Sequence, residues 1–177
     1  DNEWPTLLWG RPELQYPAYI NCATELLDVN VALGRGPRTA VISPNEQLTY
    51  AGLTDRANRI AAVLRYDMGL VPGNRVLIRS ANNPQFLAAW LGIAKAGGIV
   101  VATMPLLRAG EIATIVDKAE VTLALCDERL AQEMEKAGEL ARSLARICYF
   151  NGSGEADTGA ELESRMHAKD GAPVNVL

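Results

Sequence analysis

Two short runs set glycines on either side of one residue, Gly34-Arg35-Gly36 and Gly152-Ser153-Gly154. Backbone N–H groups in such runs can cradle a phosphate, as they do at the start of a nucleotide-binding helix. Both runs lack the third glycine of a dinucleotide fingerprint, and neither sits between a predicted strand and helix. No Gly-Lys-Ser or Gly-Lys-Thr ending occurs, so these residues offer no ready home to ATP or NAD. His167 is the one histidine. That excludes two-histidine metal motifs and leaves a Ser-His-Asp triad unsupported; a surface helix position accounts for it. Cys126-Asp127 closes a predicted strand, where a thiol could serve as a nucleophile. No base lies near it in the sequence, and a buried, inert thiol is the simpler reading. An aspartyl phospho-acceptor would need clustered carboxylates and a paired lysine, and Asp127 stands alone.

Charge and composition narrow the field further. Seventeen basic residues against 21 acidic ones give a net charge of −4, with the basic side chains scattered. A nucleic-acid partner needs a clustered basic face, so that class is excluded. The longest apolar stretch, Phe86 to Ala94, is too short to cross a bilayer, and no secretory signal opens the sequence. Cys22, Cys126 and Cys148 are odd in number and far apart, which reads as reduced thiols in a cytoplasmic protein. The 177 residues, 49% of them hydrophobic, suffice for one folded core.

The elements that must position any site follow from pattern. Residues 1–20 are rich in Trp, Tyr and Pro (Trp4, Trp9, Pro12, Tyr16, Tyr19) and predict an extended arm laid over a surface, its aromatics buried. Asn21 is a predicted helix N-cap, and Pro44-Asn45-Glu46 predicts a hairpin turn between 40–43 and 47–49. Thr49 caps a helix whose stripe is Leu53, Ala57, Ile60, Ala61 and Leu64. Strands at 75–79, 99–102, 121–126 and 146–150 then alternate with helices at 83–96, 111–119 and 128–143. This alternation, with near-continuous Val/Ile/Leu strands, predicts an α/β fold: a mainly parallel sheet with helices on both faces. The organisation reads as an arm (1–20), an α/β subdomain (21–150), and a linker with a short helix (151–177) leading to a further domain. Ligands of such a sheet bind at the carboxyl ends of its strands, here Ser80–Asn83, Thr103–Pro105, Cys126-Asp127 and Phe150-Asn151. Taken alone, these patterns stop at an α/β domain without a self-contained active site.

Longer runs go further. Leu48-Thr-Tyr-Ala-Gly-Leu53, Arg56-Ala-Asn-Arg59 and Gly69-Leu-Val-Pro-Gly-Asn-Arg-Val76 follow one another in order. After them come Asn83-Pro-Gln-Phe-Leu-Ala-Ala-Trp-Leu-Gly-Ile-Ala-Lys-Ala-Gly-Gly98 and Met104-Pro-Leu-Leu-Arg-Ala-Gly-Glu111. Together, over about residues 20–150, they resemble the opening of the acyl-adenylate-forming acyl-CoA synthetases. Pro12-Glu-Leu-Gln-Tyr-Pro17 and Asn21-Cys-Ala-Thr-Glu-Leu-Leu-Asp28 resemble the aryl branch, the benzoate and 2-aminobenzoate CoA ligases. Ala102-Thr-Met-Pro-Leu-Leu-Arg108 and Ala124-Leu-Cys-Asp127 especially resemble the 2-aminobenzoate type.

The resemblance implies an intact cytoplasmic enzyme that uses ATP, Mg2+ and CoA on an aromatic carboxylic acid. It also implies that the Ser/Thr/Gly-rich phosphate loop and the lid lysine lie downstream of Leu177, so that no catalytic residue falls within this chain. Residues 1–177 are then expected to be inactive and to bind no cofactor by themselves. Arg108 is the residue the resemblance offers as a CoA phosphate contact, with Asn83 and Thr103 as lesser ones. The other readings are a non-catalytic, flavodoxin-like binding or assembly module, and an enzyme that transfers its acyl group to a carrier protein. A homodimer through the last helix and the sheet's ligand edge is expected, because an excised half should expose the face that met its partner.

Overall fold

A computed structural model describes residues 9–152 and 160–174. Trp4 and the predicted linker glycine Gly154 lie outside those residues. Asn21 begins the folded part as an N-cap, its side chain accepting from Ala23 N and Thr24 N ahead of α1 (Cys22–Leu26). A second short helix, α2 (Asp28–Asn30), and a wide turn to Arg35 lead into the hairpin β1 (Thr39–Ile42) and β2 (Gln47–Thr49). The Thr49 side chain accepts from Gly52 N and so caps α3 (Tyr50–Ala62).

The main sheet has four parallel strands, β3 (Arg75–Arg79), β4 (Ile99–Thr103), β5 (Leu123–Asp127) and β6 (Arg146–Phe150), in the order β4-β3-β5-β6. Helices α4 (Pro84–Lys95), α5 (Ala109–Lys118) and α6 (Ala131–Leu140) connect them, and α7 (Glu161–His167) follows β6. The period-2 alternation of each strand divides the interior in two. Val76, Ile78, Leu123, Leu125, Cys148 and Phe150 face the core built with α3, α4 and α7. Leu77, Ala124 and Cys126 face the other, with Ile112 and Val116 of α5 and Met134 of α6. The expected α/β sheet with helices on both faces is what the chain forms.

Small residues let α3 and α4 approach closely. A Cβ on Gly92 would sit 2.7 Å from Ile60 Cγ2 and 3.0 Å from the Ala57 carbonyl, closer than packed atoms tolerate. Behind this contact, the buried Lys95 ammonium pairs with Asp28, tying α4 to α2.

Three expectations need correction. The arm does not bury its aromatics: Trp9, Tyr16 and Tyr19 are 54%, 65% and 94% exposed, and Pro12–Leu14 forms a single 3-10 turn that packs nothing. The predicted helix 128–143 ends earlier, at Leu140, because the Asp117 carboxylate captures the N–H groups of Arg142 (2.8 Å) and Ser143 (3.1 Å) and draws the chain out of helical geometry. The last helix offers no unmet apolar face, since Leu162 and Met166 are already buried in the first core. Its carbonyl end is held by Arg59, which donates to Met166 O (3.3 Å) and to Lys169 O, while Asn58 donates to Gly171 O (2.8 Å). Among the described residues, no helix is long and apolar enough to cross a membrane.

Candidate functional site

At the carboxyl edge of the sheet, two charged side chains are as buried as the core around them. Arg79 ends β3 with 1% exposure, next to a strand whose facing residue is Cys126. An apolar strand ending in a fully buried guanidinium demands partners, and the loop after β4 supplies them. Arg79 Nη1 donates to Met104 O (3.2 Å), and Nη2 donates to Pro105 O and Leu107 O (both 2.9 Å). One cation thus shapes the turn from β4 into α5. Its Nε is buried with no partner among the described residues.

Asp127, also 1% exposed, ends β5. Its two oxygens receive Arg129 from three directions: the backbone N–H at 3.1 Å, Nε at 2.9 Å and Nη2 at 2.5 Å. Ser80 Oγ also reaches Oδ2, at 3.4 Å. On the far side the backbone of Gly152 lies against the same carboxylate; a Cβ there would overlap Asp127 and come within 2.9 Å of Arg129 Nη2. The exit from β6 is therefore fitted to this ion pair. The Arg129 guanidinium, half in solvent, is held above Asp127's fully buried carboxylate.

Between these two clusters lies a cavity of about 250 Å3 lined by Ala81, Pro105, Asp127, Arg129 and Leu130. A larger one, about 430 Å3, opens beside α7 and includes Glu46, Arg56, Asn83, Gln85, Glu163 and His167 in its wall. There Arg56 is paired with Glu46, and Gln85 donates to Glu163 Oε1 at 2.9 Å.

The residues singled out from sequence fall mostly into structural roles. Asn83 caps α4, accepting from Phe86 N at 2.8 Å, and its amide nitrogen donates to Ser80 Oγ at 2.9 Å. Thr103 is buried and donates its hydroxyl to Ile78 O at 3.0 Å. Cys126 is buried, and desolvation pushes its thiol up to about 12, which fits the inert reading. His167 is exposed on the last turn of α7. Arg108 sits at the N-terminus of α5, exposed, and its backbone N–H donates to the Glu111 carboxylate at 2.9 Å. Its guanidinium makes no hydrogen bond or ion pair among the described residues, and Arg108 lines neither cavity. Sequence reasoning missed Arg79 and Arg129. The signal for the first was a charge closing a strand whose preceding residues, Val76 to Ile78, are apolar; for the second, an Asp-x-Arg spacing at a strand end.

A match over residues 30–175 to the profile of the AMP-binding enzymes decides the family. The chain belongs to the AMP-binding enzyme family. Among curated AMP-binding relatives, the benzoate–CoA ligase of Thauera aromatica is 26% identical over 163 residues, 92% of this chain and 31% of that protein. A crotonobetaine/carnitine–CoA ligase of Salmonella paratyphi A is 29% identical over 147 residues, 78% of this chain and 28% of that protein. The chain thus spans less than a third of the relatives it matches. Among solved structures, an anthranilate CoA ligase, AuaEII, in complex with anthranoyl-AMP superposes with a TM-score of 0.77. It is 20% identical and the superposition covers 89% of this chain and 29% of that one, a likeness of fold. A flavodoxin-like assembly module is not the family found.

Proposed function

We propose that this chain is the N-terminal part of an ATP-dependent CoA ligase for an aromatic acid, benzoate or 2-aminobenzoate, in the cytoplasm. The match to benzoate–CoA ligase along 92% of the chain carries the reading; the runs around Met104 and Asp127 favour the 2-aminobenzoate type. In the proposed reaction a carboxylate oxygen attacks the α-phosphate of ATP, forming an acyl-adenylate as pyrophosphate leaves. The CoA thiol then attacks the acyl carbon, and AMP leaves as the thioester forms. Among the described residues no group of three His, Cys, Asp or Glu side chains could hold a metal ion. What this chain contributes is a rigid strand-edge floor, set by Arg79 and Asp127, on which later segments assemble. The three-part organisation (arm, α/β subdomain, linker with short helix) belongs to the same proposal. So does a homodimer, for which the exposed Met104 and Leu106 beside β4 offer an apolar patch.

Arg108 is proposed to contact a CoA phosphate, on the strength of its exposed guanidinium, which makes no ion pair among the described residues. In the intact enzyme, Arg108→Ala should raise KM for CoA about tenfold, as loss of one charged hydrogen bond would, and leave ATP–pyrophosphate exchange unchanged. Equal losses in both half-reactions would reject the CoA role. The acid class is tested by thioester formation from benzoates against betaine acids; a preference for crotonobetaine would overturn the aromatic assignment.

A further inference from the structure

We propose that Arg129, held by Asp127, forms a subsite that takes a phosphate group in the crevice between the ends of β3 and β5. The topology points there first. From β3 the chain crosses to β4 on one side, then passes back over β3 to reach β5 on the other. Loops leaving β3 and β5 therefore diverge, and in open parallel sheets ligands enter at such a reversal. The 250 Å3 cavity lies there, walled by Ala81 from the β3 loop, Asp127, Arg129 and Leu130 from the β5 turn, and Pro105 from the β4 loop.

The cavity wall carries one cation, Arg129, and one carboxylate, Asp127; Glu128, though exposed on the same turn, does not line it. Asp127 does not cancel Arg129 as seen from the crevice. Its carboxylate is 1% exposed and its oxygens are spent on Arg129 N, Nε and Nη2 and on Ser80 Oγ, while Arg129 is 52% exposed. Nη1 of Arg129 has no partner among the described residues, so one edge of the guanidinium remains free to pair with an oxyanion. The fork is fixed in advance by its chelate with Asp127, and Gly152 closes the space behind it. Little side-chain entropy is then left to lose on binding. Ala81, Pro105 and Leu130 keep the surroundings apolar, which strengthens a charge-assisted hydrogen bond. The choice of phosphate over carboxylate rests on the ligase reading, since both co-substrates of that reaction carry phosphates.

The test needs no catalysis. Inorganic phosphate is titrated into residues 1–177 at constant ionic strength, and the Arg129 Nε–H and Leu130 amide resonances are followed by NMR. Saturable shifts are expected, with binding about tenfold weaker in Arg129→Gln, the loss of one charged hydrogen bond. Asp127→Asn should weaken it less while keeping the fold. Shifts that sodium chloride reproduces, affinity unaltered by Arg129→Gln, or benzoate binding as tightly as phosphate would each overturn the proposal. Competition names the source: ATP displacing phosphate points to the nucleotide substrate, adenosine 3′,5′-bisphosphate to the CoA end, and displacement by neither rejects the subsite. Failure here leaves the ligase reading intact, because that reading is judged on turnover of the longer enzyme.

Discussion

Replacing Arg79 with alanine is expected to lower the unfolding free energy by about 3 kcal/mol, the scale of losing hydrogen bonds from a charged donor to buried carbonyls. The side chain has 1% exposure and satisfies three carbonyls of the β4–α5 turn, Met104, Pro105 and Leu107. Truncation strands those oxygens in an apolar setting, each at a cost of about 1–3 kcal/mol if water cannot reach it. It also leaves a hole between β3 and the turn. Arg79→Met fills the volume without the donors and should recover part of the loss. Urea unfolding of residues 1–177 measures both. Amide exchange adds a local readout: Leu107 and Arg108 should lose protection in the alanine variant ahead of β3 itself. A cost below about 1 kcal/mol, the size of one ordinary hydrogen bond, would show that the turn is held by something else.

Stability should also fall steeply in alkali. Burial pushes the Cys126 and Cys148 thiols up from their ordinary 9.0 to about 12. The unfolded chain surrenders those protons near the ordinary value, while the folded chain keeps them. Each thiol's contribution is therefore complete below about pH 9 and drains away as pH rises towards 12. Between those limits each removes about 1.4 kcal/mol per pH unit. Tyr149, pushed by desolvation from 10.0 to about 12, adds in the same direction. The urea midpoint is expected to drop as pH rises from about 9 towards 12. A Cys126→Ala/Cys148→Ala variant starts less stable and should show a flatter decline. An equally steep decline without the thiols would contradict this assignment.

Much of the fold was legible because local chemistry and tertiary structure agree. Thr49 and Asn83 are placed by their caps, and β6 has the bounds its apolar run dictates. Where long-range polar contacts intervene, pattern misleads. The helix after β5 stops early because Asp117, two elements away, competes for its last N–H groups. Aromatic content suggested a buried arm, yet Tyr19 stands 94% exposed, as no groove among the described residues receives it. The candidate site was less legible still. Asp127 looked solitary along the chain, and only the parallel pairing of β3 with β5 and β5 with β6 brings Ser80 and Gly152 against it. Arg79 read as an ordinary strand residue because its acceptors are backbone carbonyls, which carry no sequence signature.

Residues 1–177 are proposed to be one part of an acid-activating ligase and to complete no chemistry alone. Acid-dependent exchange of labelled pyrophosphate into ATP tests it most directly, run side by side on the intact polypeptide and on residues 1–177. Exchange by the intact protein with benzoate or 2-aminobenzoate, and none above background by residues 1–177, is the predicted result. Exchange catalysed by residues 1–177, or an intact protein that no aromatic acid can drive, would contradict it.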